Sequence, residues 1–574
     1  MAEDFERLLY ESEVLRDLGS YGLELLVDVM QRRSVPGGEA LFEAGDPPDG
    51  MFVVERGRLG VVDEEDRIVA ALGAGAVLGE MGALAGVPRT HTVVALRDTE
   101  VRWVDQAHFD ELFAQHPALA RGLSRLVVSR LPSDRDGEAK GAPSTVAVMS
   151  VDPVIVTDEV VLALETVARS CAVARADTAE GRSAAEVATL LDRLEADHDV
   201  LVLVAGCAAE NDDWQRWCLR QADAVVLVVG GEAPNLRESG REFLSDLSTW
   251  RATVELVVMN PAQASLGLDA SAWTALIRPD RLHHVRMADR ETSGRFARLV
   301  LGRGTGVVFS GGAAKGLAHL GAWRALRELE VPVDTVAGVS LGSLFGAGVA
   351  LDYTPADLHE EVAEKLVRQR GLVDFTLPWV ALLQGQGISQ RIQEVGRDRR
   401  FEQTWRSFVC TSCDLTTGEL VEHRSGFLWK AVRASLSIPG LLPPLREGNS
   451  LLVDGAVLDN LPVTALRAGH PGPLEVIAID VGKDGTVDAG GMQEGGQQSG
   501  WRLMFDKLHP RRSVADIPSM AQLLMRVMEL AGSKGEVPAE VTIRPDLEGM
   551  GLSDFTHIDR FEKAGYDAVV AALG

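Results

Sequence analysis

Ser340 stands in Gly338-Val339-Ser340-Leu341-Gly342, with a glycine two residues away on either side. A serine hydroxyl is a poor nucleophile at neutral pH and needs exposure, a base and donors for an oxyanion. The Gly-x-Ser-x-Gly turn supplies the exposure, because small residues on both sides let a strand turn sharply into a helix with the serine at the apex. The helix that follows points its N-terminus, with its partial positive charge and free N–H groups, at the same place. Upstream lies a second glycine turn, Ser310-Gly311-Gly312-Ala313-Ala314-Lys315-Gly316. Consecutive glycines let backbone N–H groups converge on a substrate oxygen. Downstream, Asp454-Gly455-Ala456 offers a carboxylate as candidate base. Together these pieces predict a serine hydrolase.

Each piece has a rival reading. GVSLG alone is a weak signal in a glycine-rich chain. SGGAAKG compares with a phosphate loop, but that loop ends Gly-Lys-Ser/Thr, whereas here Lys315 precedes Gly316 and Leu317. The glycines also suit close helix–strand packing, and Asp454 alone suits a turn that caps its strand. The two glycine turns are one β-α unit apart, so they are expected as neighbours in a parallel sheet.

Four segments, SGGAAKGLAHLGAWRAL, GVSLGSLFGA, RASLSIPGLLPP and DGAVLDNLP, resemble the patatin-like phospholipase family from about Gly306 to Pro462. The resemblance implies a Ser-Asp dyad without histidine, with Ser340 as nucleophile and Asp454 as base. It further implies an oxyanion hole from the N–H groups of Gly311, Gly312 and Ala313, and no catalytic cofactor or metal. Two positions depart from the family pattern: Ala313 replaces a third glycine, and Lys315 stands where arginine is common. If position 313 needs a positive φ, alanine there costs about 1 kcal/mol or more. A histidine triad is the competing mechanism, with His319, His423 and His470 as local candidates; Asp414 and Asp459 are the alternative carboxylates. His319 reads as a packing residue and Asp459 as structural.

The elements that must hold these groups read as a patatin-type α/β domain over 303–480. GVVFS is a strand, LAHLGAWRALRELE a helix, and VDTVAG the strand that delivers Ser340. SFVCTSCDL, SLLVDG and LEVIAIDVG supply further strands, so Cys410-Thr-Ser-Cys413 reads as part of a buried strand rather than a redox or zinc motif. Residues 481–574 read as a mobile, lid-like loop (Gly485 to Gly500) followed by a helical extension.

Before this domain lie two others. Over 145–302, continuous apolar runs (VAVMSV, VLVLVAG, AVVLVVG, VELVVMN) alternate with helical segments, the pattern of buried parallel strands in a Rossmann-like α/β domain. Its first strand lacks a glycine-rich turn, so it reads as a scaffold. Residues 133–144 are a polar linker. Residues 1–132 hold short strands between Gly/Asp/Pro turns, predicting an antiparallel β-roll with flanking helices. There, GAVLGEMGALAGVPRTHTV and GGEALFEAGDPPDGMFVVERGRLGV resemble cyclic nucleotide-binding domains. The resemblance implies Arg89 on the cyclic phosphate, Glu80 on the ribose hydroxyl, and Gly79 with nearby N–H groups completing the cradle. Thr90 sits where a hydroxyl can favour guanine, without choosing between cAMP and cGMP. His91 replaces a small residue beside the phosphate. The domain order is similar to bacterial relatives of neuropathy target esterase.

Composition narrows the partners. The chain has 574 residues and a net charge of −27, which argues against nucleic acid and against strong general attraction to an anionic bilayer. KLHPRR at Lys507 to Arg512 is a local basic exception. An odd, low count of five cysteines suggests a reducing compartment. The acidic start lacks a signal-peptide pattern, and no run of about 18 uncharged apolar residues occurs. The expectation is a cytoplasmic, lipid-directed serine esterase of the phospholipase or lysophospholipase type. It would reach the membrane peripherally, take a cyclic nucleotide as allosteric ligand, and offer faces large enough for a homodimer. The alternative is a non-catalytic lipid- or protein-binding signalling scaffold.

Overall fold

A computed structural model describes residues 19–62, 68–115, 142–151, 157–182, 184–207, 213–231, 252–368, 374–377, 379–470, 472–482, 537–551 and 554–574, together with Phe5, Leu9 and several positions between 523 and 530. The expected lid-like loop (485–500), the KLHPRR stretch and most of the predicted linker lie outside the described residues. The chain divides into two compact units, one of residues 1–262, 272–302 and 471–473, the other of 263–271, 303–470 and 474–574.

The first unit begins with helix α1 (Gly19–Val29) and a roll of two antiparallel sheets. One sheet runs β1 (Gln31–Val35), β8 (Thr99–Asp105), β3 (Gly50–Arg56) and β6 (Val77–Leu78). The other runs β2 (Ala40–Phe42), β7 (Thr92–Ala95), β4 (Leu59–Val62) and β5 (Ile68–Leu72). Phe52, Val54, Leu59, Val93 and Val101 fill the space between them. Short helix α2 (Glu80–Ala85) follows β6, and α3 (Gln106–Gln115) closes the roll.

The apolar runs of the same unit form a parallel sheet: β9 (Thr145–Ser150), β10 (Cys171–Ala174), β11 (Val200–Cys207), β12 (Ala224–Gly230), β13 (Thr253–Asn260) and β14 (Arg281–Arg286). Their order is β10-β11-β9-β12-β13-β14. Burial on both faces explains why they read as unbroken runs rather than alternating ones: every residue of β9 is buried. Ionic contacts join roll and sheet. Arg58 reaches Asp223 at 3.1 Å, and Arg97 pairs with Glu195 and Asp223. Asp223 also accepts the N–H groups of Ser144 and Thr145; the charges of Arg97 and Arg58, and then these bonds, keep its pKa lowered despite burial.

The second unit is built on a mixed sheet of β15 (Gly304–Phe309), β16 (Thr335–Val339), β17 (Ser407–Asp414), β18 (Glu419–His423), β19 (Leu445–Glu447), β20 (Ser450–Asp454), β21 (Leu474–Ile479) and β22 (Val541–Ile543). Its order is β19-β20-β17-β16-β15-β21-β22, with β18 also on β17. β15 and β16 are adjacent and parallel, as the single β-α unit between the two glycine turns predicts. Apolar side chains pack on the sheet, among them Phe309, Trp323, Phe345 and Phe561 in one cluster and Val308, Ala337, Leu466 and Ala478 in another. Helices α4 (Ala318–Glu328), α5 (Leu341–Ala350), α6 (Leu428–Ser435) and α7 (Ile558–Leu573) surround it.

Cys410 and Cys413 are free, buried thiols on β17, and burial raises the pKa of both. The C-x-x-C spacing therefore belongs to a strand. Among the described residues, no group of three or more His, Cys, Asp and Glu side chains is arranged to hold a metal ion. Nor is any helix among them long and apolar enough to cross a membrane.

Candidate active site

Two consecutive strands deliver the two glycine turns. β15 ends at Phe309 and releases the Ser310–Gly316 loop; β16 ends at Val339 and releases Ser340 directly into α5. Ser340 holds φ 53° and ψ −131°, a strained conformation for a non-glycine residue and one expected of a nucleophile on a tight strand-to-helix turn. The turn closes only because Gly342 has no side chain. A Cβ there would stand 2.2 Å from the Phe309 carbonyl oxygen and 2.5 Å from that of Ser310. Two hydroxyls brace the turn. The Ser340 N–H donates to Ser435 Oγ at 2.9 Å, and Ser343 Oγ donates to the Ser340 carbonyl at 2.6 Å.

Asp454 ends β20, which pairs antiparallel with β17 beside β16. It is fully buried, and Oδ1 accepts the Ala456 N–H at 3.0 Å. Oδ2 has no fully formed hydrogen bond, yet the Ser340 hydroxyl is near enough to favour the carboxylate. Burial outweighs both stabilising contacts and raises the pKa to about 7. A looser contact that tightens when substrate binds is common in unliganded sites. The carboxyl is thus a far better base than a solvated aspartate, and it faces the serine that needs one.

The first glycine loop packs against Ser340. A Cβ at Gly311 would lie 3.0 Å from Ser340 Cβ and 2.6 Å from Asn460 Oδ1. Asn460 fastens this loop through its main chain and side chain: its carbonyl accepts the Gly311 N–H at 3.4 Å, and its Nδ2 donates to the Gly311 carbonyl at 3.3 Å. Ser310 Oγ accepts the Val481 N–H at 2.9 Å from the far side. Among the described residues nothing accepts the N–H groups of Gly312 and Ala313. Ala313 has φ 46°, so this position does use the left-handed region that favours glycine. Lys315 is buried within the 3₁₀ turn Ala313–Leu317.

The other candidates are engaged elsewhere. His319 Nε2 donates to the Ser310 carbonyl at 3.0 Å, and the ring packs edge-on against Phe309 and Phe345. Burial lowers its pKa to about 4, so it stays neutral. His423 pairs with Ser412 Oγ at 2.8 Å and His470 with Thr335 Oγ1 at 2.9 Å. Asp414 takes hydrogen bonds from Ser450, Thr416 and Leu451, which hold its pKa down to about 2. Asp459 Oδ1 accepts the Leu461 N–H, a turn-holding role. Sequence reasoning overlooked Ser435 and Asn460 as parts of the site. Both lie inside segments that carry the family resemblance, RASLSIPG and DGAVLDNLP, but nothing local marks their partners.

In the first unit, Gly79 takes φ 75° and opens α2, and Glu80 is buried at its first turn. Arg89 is buried between Phe42 and Phe52, with its guanidinium 4.4 Å and 5.7 Å from the ring centroids. It donates to the carbonyls of Gly79 (2.9 Å) and Gly50 (2.8 Å) and pairs with Asp49. Thr90 and His91 are exposed, and they hydrogen-bond to each other at 3.0 Å. The imidazole therefore stands at the surface.

Residues 307–467 match the patatin-like phospholipase family, and residues 32–116 match the cyclic nucleotide-binding domain. The chain thus joins a cyclic nucleotide-binding domain to a patatin-like phospholipase domain. An uncharacterized NTE family protein of Mycobacterium tuberculosis is 30% identical over 99% of this chain and 96% of its own length. The chain belongs to the NTE family. It is also similar to patatin-like phospholipase domain-containing protein 6 of Homo sapiens (27% identical, 94% of this chain, 44% of that one). Lysophospholipase NTE1 of Saccharomyces cerevisiae is 25% identical over 92% of this chain and 40% of the yeast protein. The chain spans less than half the length of these two eukaryotic relatives.

Proposed function

We propose that the chain is a lipid-directed serine esterase of the phospholipase or lysophospholipase type. The observation that carries this is the pairing of Ser340, held at φ 53° on its turn, with a buried carboxyl whose pKa is raised to about 7. Asp454 takes the Ser340 proton as Oγ attacks the ester carbonyl. The oxyanion is received by the Gly312 and Ala313 N–H groups, which are free among the described residues, whereas the Gly311 N–H, expected from the sequence to join them, is held by the Asn460 carbonyl. Collapse of the tetrahedral intermediate expels the alcohol with a proton from Asp454. Water then attacks the acyl-serine, with Asp454 again as base, and releases the fatty acid. The buried, neutral His319 supports a dyad without histidine. The name of the yeast relative, lysophospholipase, supports the substrate class.

The same reading gives the roll a regulatory role. A cyclic nucleotide would place its phosphate at Arg89 and α2, with Gly79, Glu80 and Thr90 around it. Two carbonyls orient the Arg89 guanidinium, and the phosphate would take the place that Asp49 now holds on it. A cytoplasmic location, peripheral to the inner face of the membrane, is the setting this reading expects, and the free cysteines are compatible with it. Fluorophosphonate labelling tests the catalytic half. Ser340 must label, Ser340→Ala must not, and the variant must keep its circular dichroism spectrum while losing ester hydrolysis. A protein whose Ser340 does not label is the scaffold of the alternative reading.

A further inference from the structure

We infer that Phe375, Leu377, Trp379 and Val380 form an apolar finger that docks the second unit onto a zwitterionic phospholipid surface, an inference that rests on the esterase reading above. Phe375, Leu377, Trp379 and Val380 are 80%, 88%, 95% and 63% exposed. Soluble proteins scatter exposed apolar residues singly, and so dense a cluster marks an interaction site. Backbone pairing holds the described part of the finger. Phe375 and Leu383 pair as an antiparallel bridge, and the Thr376 N–H donates to the Leu382 carbonyl at 3.1 Å. At its base, the Asp374 carboxylate accepts the N–H groups of Gly385, Gln386 and Gly387.

Three observations select lipid as the occupant. First, Phe375 to Leu383 reads FTLPWVALL, without a single charge. A rim of charged or polar groups is usual around a protein–protein patch, whereas a bare aromatic and aliphatic tip suits the boundary between headgroups and acyl chains. Second, the net charge of −27 gives no general attraction to anionic lipid, so insertion rather than electrostatics must supply the binding. Third, the finger is tied to the wall of the reactive site. Leu382 and Leu383 donate their N–H groups to the carbonyls of Gly440 and Leu441 (2.9 and 3.0 Å). The same turn carries Ile438, which packs on Val339 and Ala456, the neighbours of Ser340 and Asp454. Leu523, Val527 and Leu530 add exposed apolar side chains at helical spacing, and Leu524 approaches Gly440. A surface engaged by the finger would therefore lie next to the dyad, where a single lipid must be handed over.

The test is flotation of the full chain with phosphatidylcholine vesicles, comparing wild type with the double variant Leu377→Asp/Trp379→Asp. Wild type is expected to float in both 0.15 M and 1 M salt, since apolar insertion is not screened. The variant should lose about tenfold or more in partitioning. Hydrolysis of a short-chain, water-soluble ester should be unchanged, because neither residue touches the dyad. Equal flotation of the two proteins, or none by wild type, overturns the inference. So does equal loss on soluble and vesicle substrates, which would make the finger part of the site itself. A concentration-dependent dimer in sedimentation velocity that the variant abolishes, without vesicle binding by wild type, assigns the finger to a second copy and overturns it too. Vesicle binding without soluble-ester turnover by wild type would instead sink the esterase reading and leave the docking role standing.

Discussion

The Ser340 N–H donates to the hydroxyl of Ser435 at 2.9 Å, across 95 residues of sequence. This bond braces the strained turn from which Ser340, the proposed nucleophile, projects. Ser435 is the last residue of α6 and is fully buried, so water cannot substitute for it. Ser435→Ala should leave the Ser340 N–H unpaired and cost about 1–2 kcal/mol of stability. Because the turn then relaxes, kcat on a short-chain ester should fall on the order of tenfold, with KM nearly unchanged. A variant with wild-type kcat would show that the turn holds without this brace.

Asp454 should set the pH dependence. As a base it must be ionised, so kcat/KM should rise with pH through a midpoint near 7. Stability should move the other way. The folded pKa lies above the unfolded one, so the folded state binds the proton more tightly, and stability falls as pH rises from about 4 through 7. Asp454→Asn removes that ionisation. Thermal melts at pH 8 should show it more stable by about 2 kcal/mol, while ester hydrolysis is lost. A flat pH–rate profile between 5 and 9 would refute the assignment.

Ala313 is held at φ 46°. Ala313→Gly relieves the left-handed strain, roughly 1 kcal/mol, but enlarges the unfolded ensemble by somewhat less. Urea denaturation should show a stability equal to wild type or higher by up to about 0.5 kcal/mol. The N–H proposed for the oxyanion is kept, so activity should be retained. A large loss of activity would mean that the methyl group, and not only the backbone, shapes the loop.

Gly342 tests the close turn. Gly342→Ala places a methyl group against the carbonyls of Phe309 and Ser310. The expected loss is about 3 kcal/mol with near-complete loss of turnover, measured by denaturation and by fluorophosphonate labelling. Normal labelling of this variant would show that the strand end can yield.

Arg89→Ala tests the roll in calorimetry with cyclic AMP and cyclic GMP. The variant should give no heat with either ligand, whereas wild type should bind at least one. It should also destabilise the first unit by about 1–3 kcal/mol, because Asp49 and the carbonyls of Gly50 and Gly79 lose their donor. No heat from wild type would reduce the roll to a docking surface.

Much of this architecture is legible in the chain because its signals are local. Unbroken apolar runs such as AVVLVVG announce strands buried on both faces, and β12 is buried at six of its seven positions. GVSLG announces a sharp turn because few other residues fit one. Less legible were the interactions that close the site. The neighbours of Asp454 in sequence say nothing about whether water reaches it, so the sequence offered a carboxylate but not its basicity. His319, on the helix that follows the glycine loop, reads as a packing residue, and Phe309 and Phe345 do enclose it, but its hydrogen bond to the Ser310 carbonyl is not legible locally.

By itself, then, the order of residues determined which groups are present and which backbone turns they can make: a serine between glycines, a glycine loop one β-α unit before it, an Asp-Gly turn after it, and a basic residue, Arg89, in a glycine-framed cassette. These are matters of backbone sterics and hydrophobic period, settled within a few residues. Tertiary structure alone decided how the groups act. It buried Asp454 and raised its pKa, brought Ser435 to the Ser340 N–H, and fastened Gly311 to Asn460 across 149 residues. It also left Trp379 outside every core. Desolvation and long-range hydrogen bonding depend on what surrounds a group in space, and no local stretch of chain carries that information.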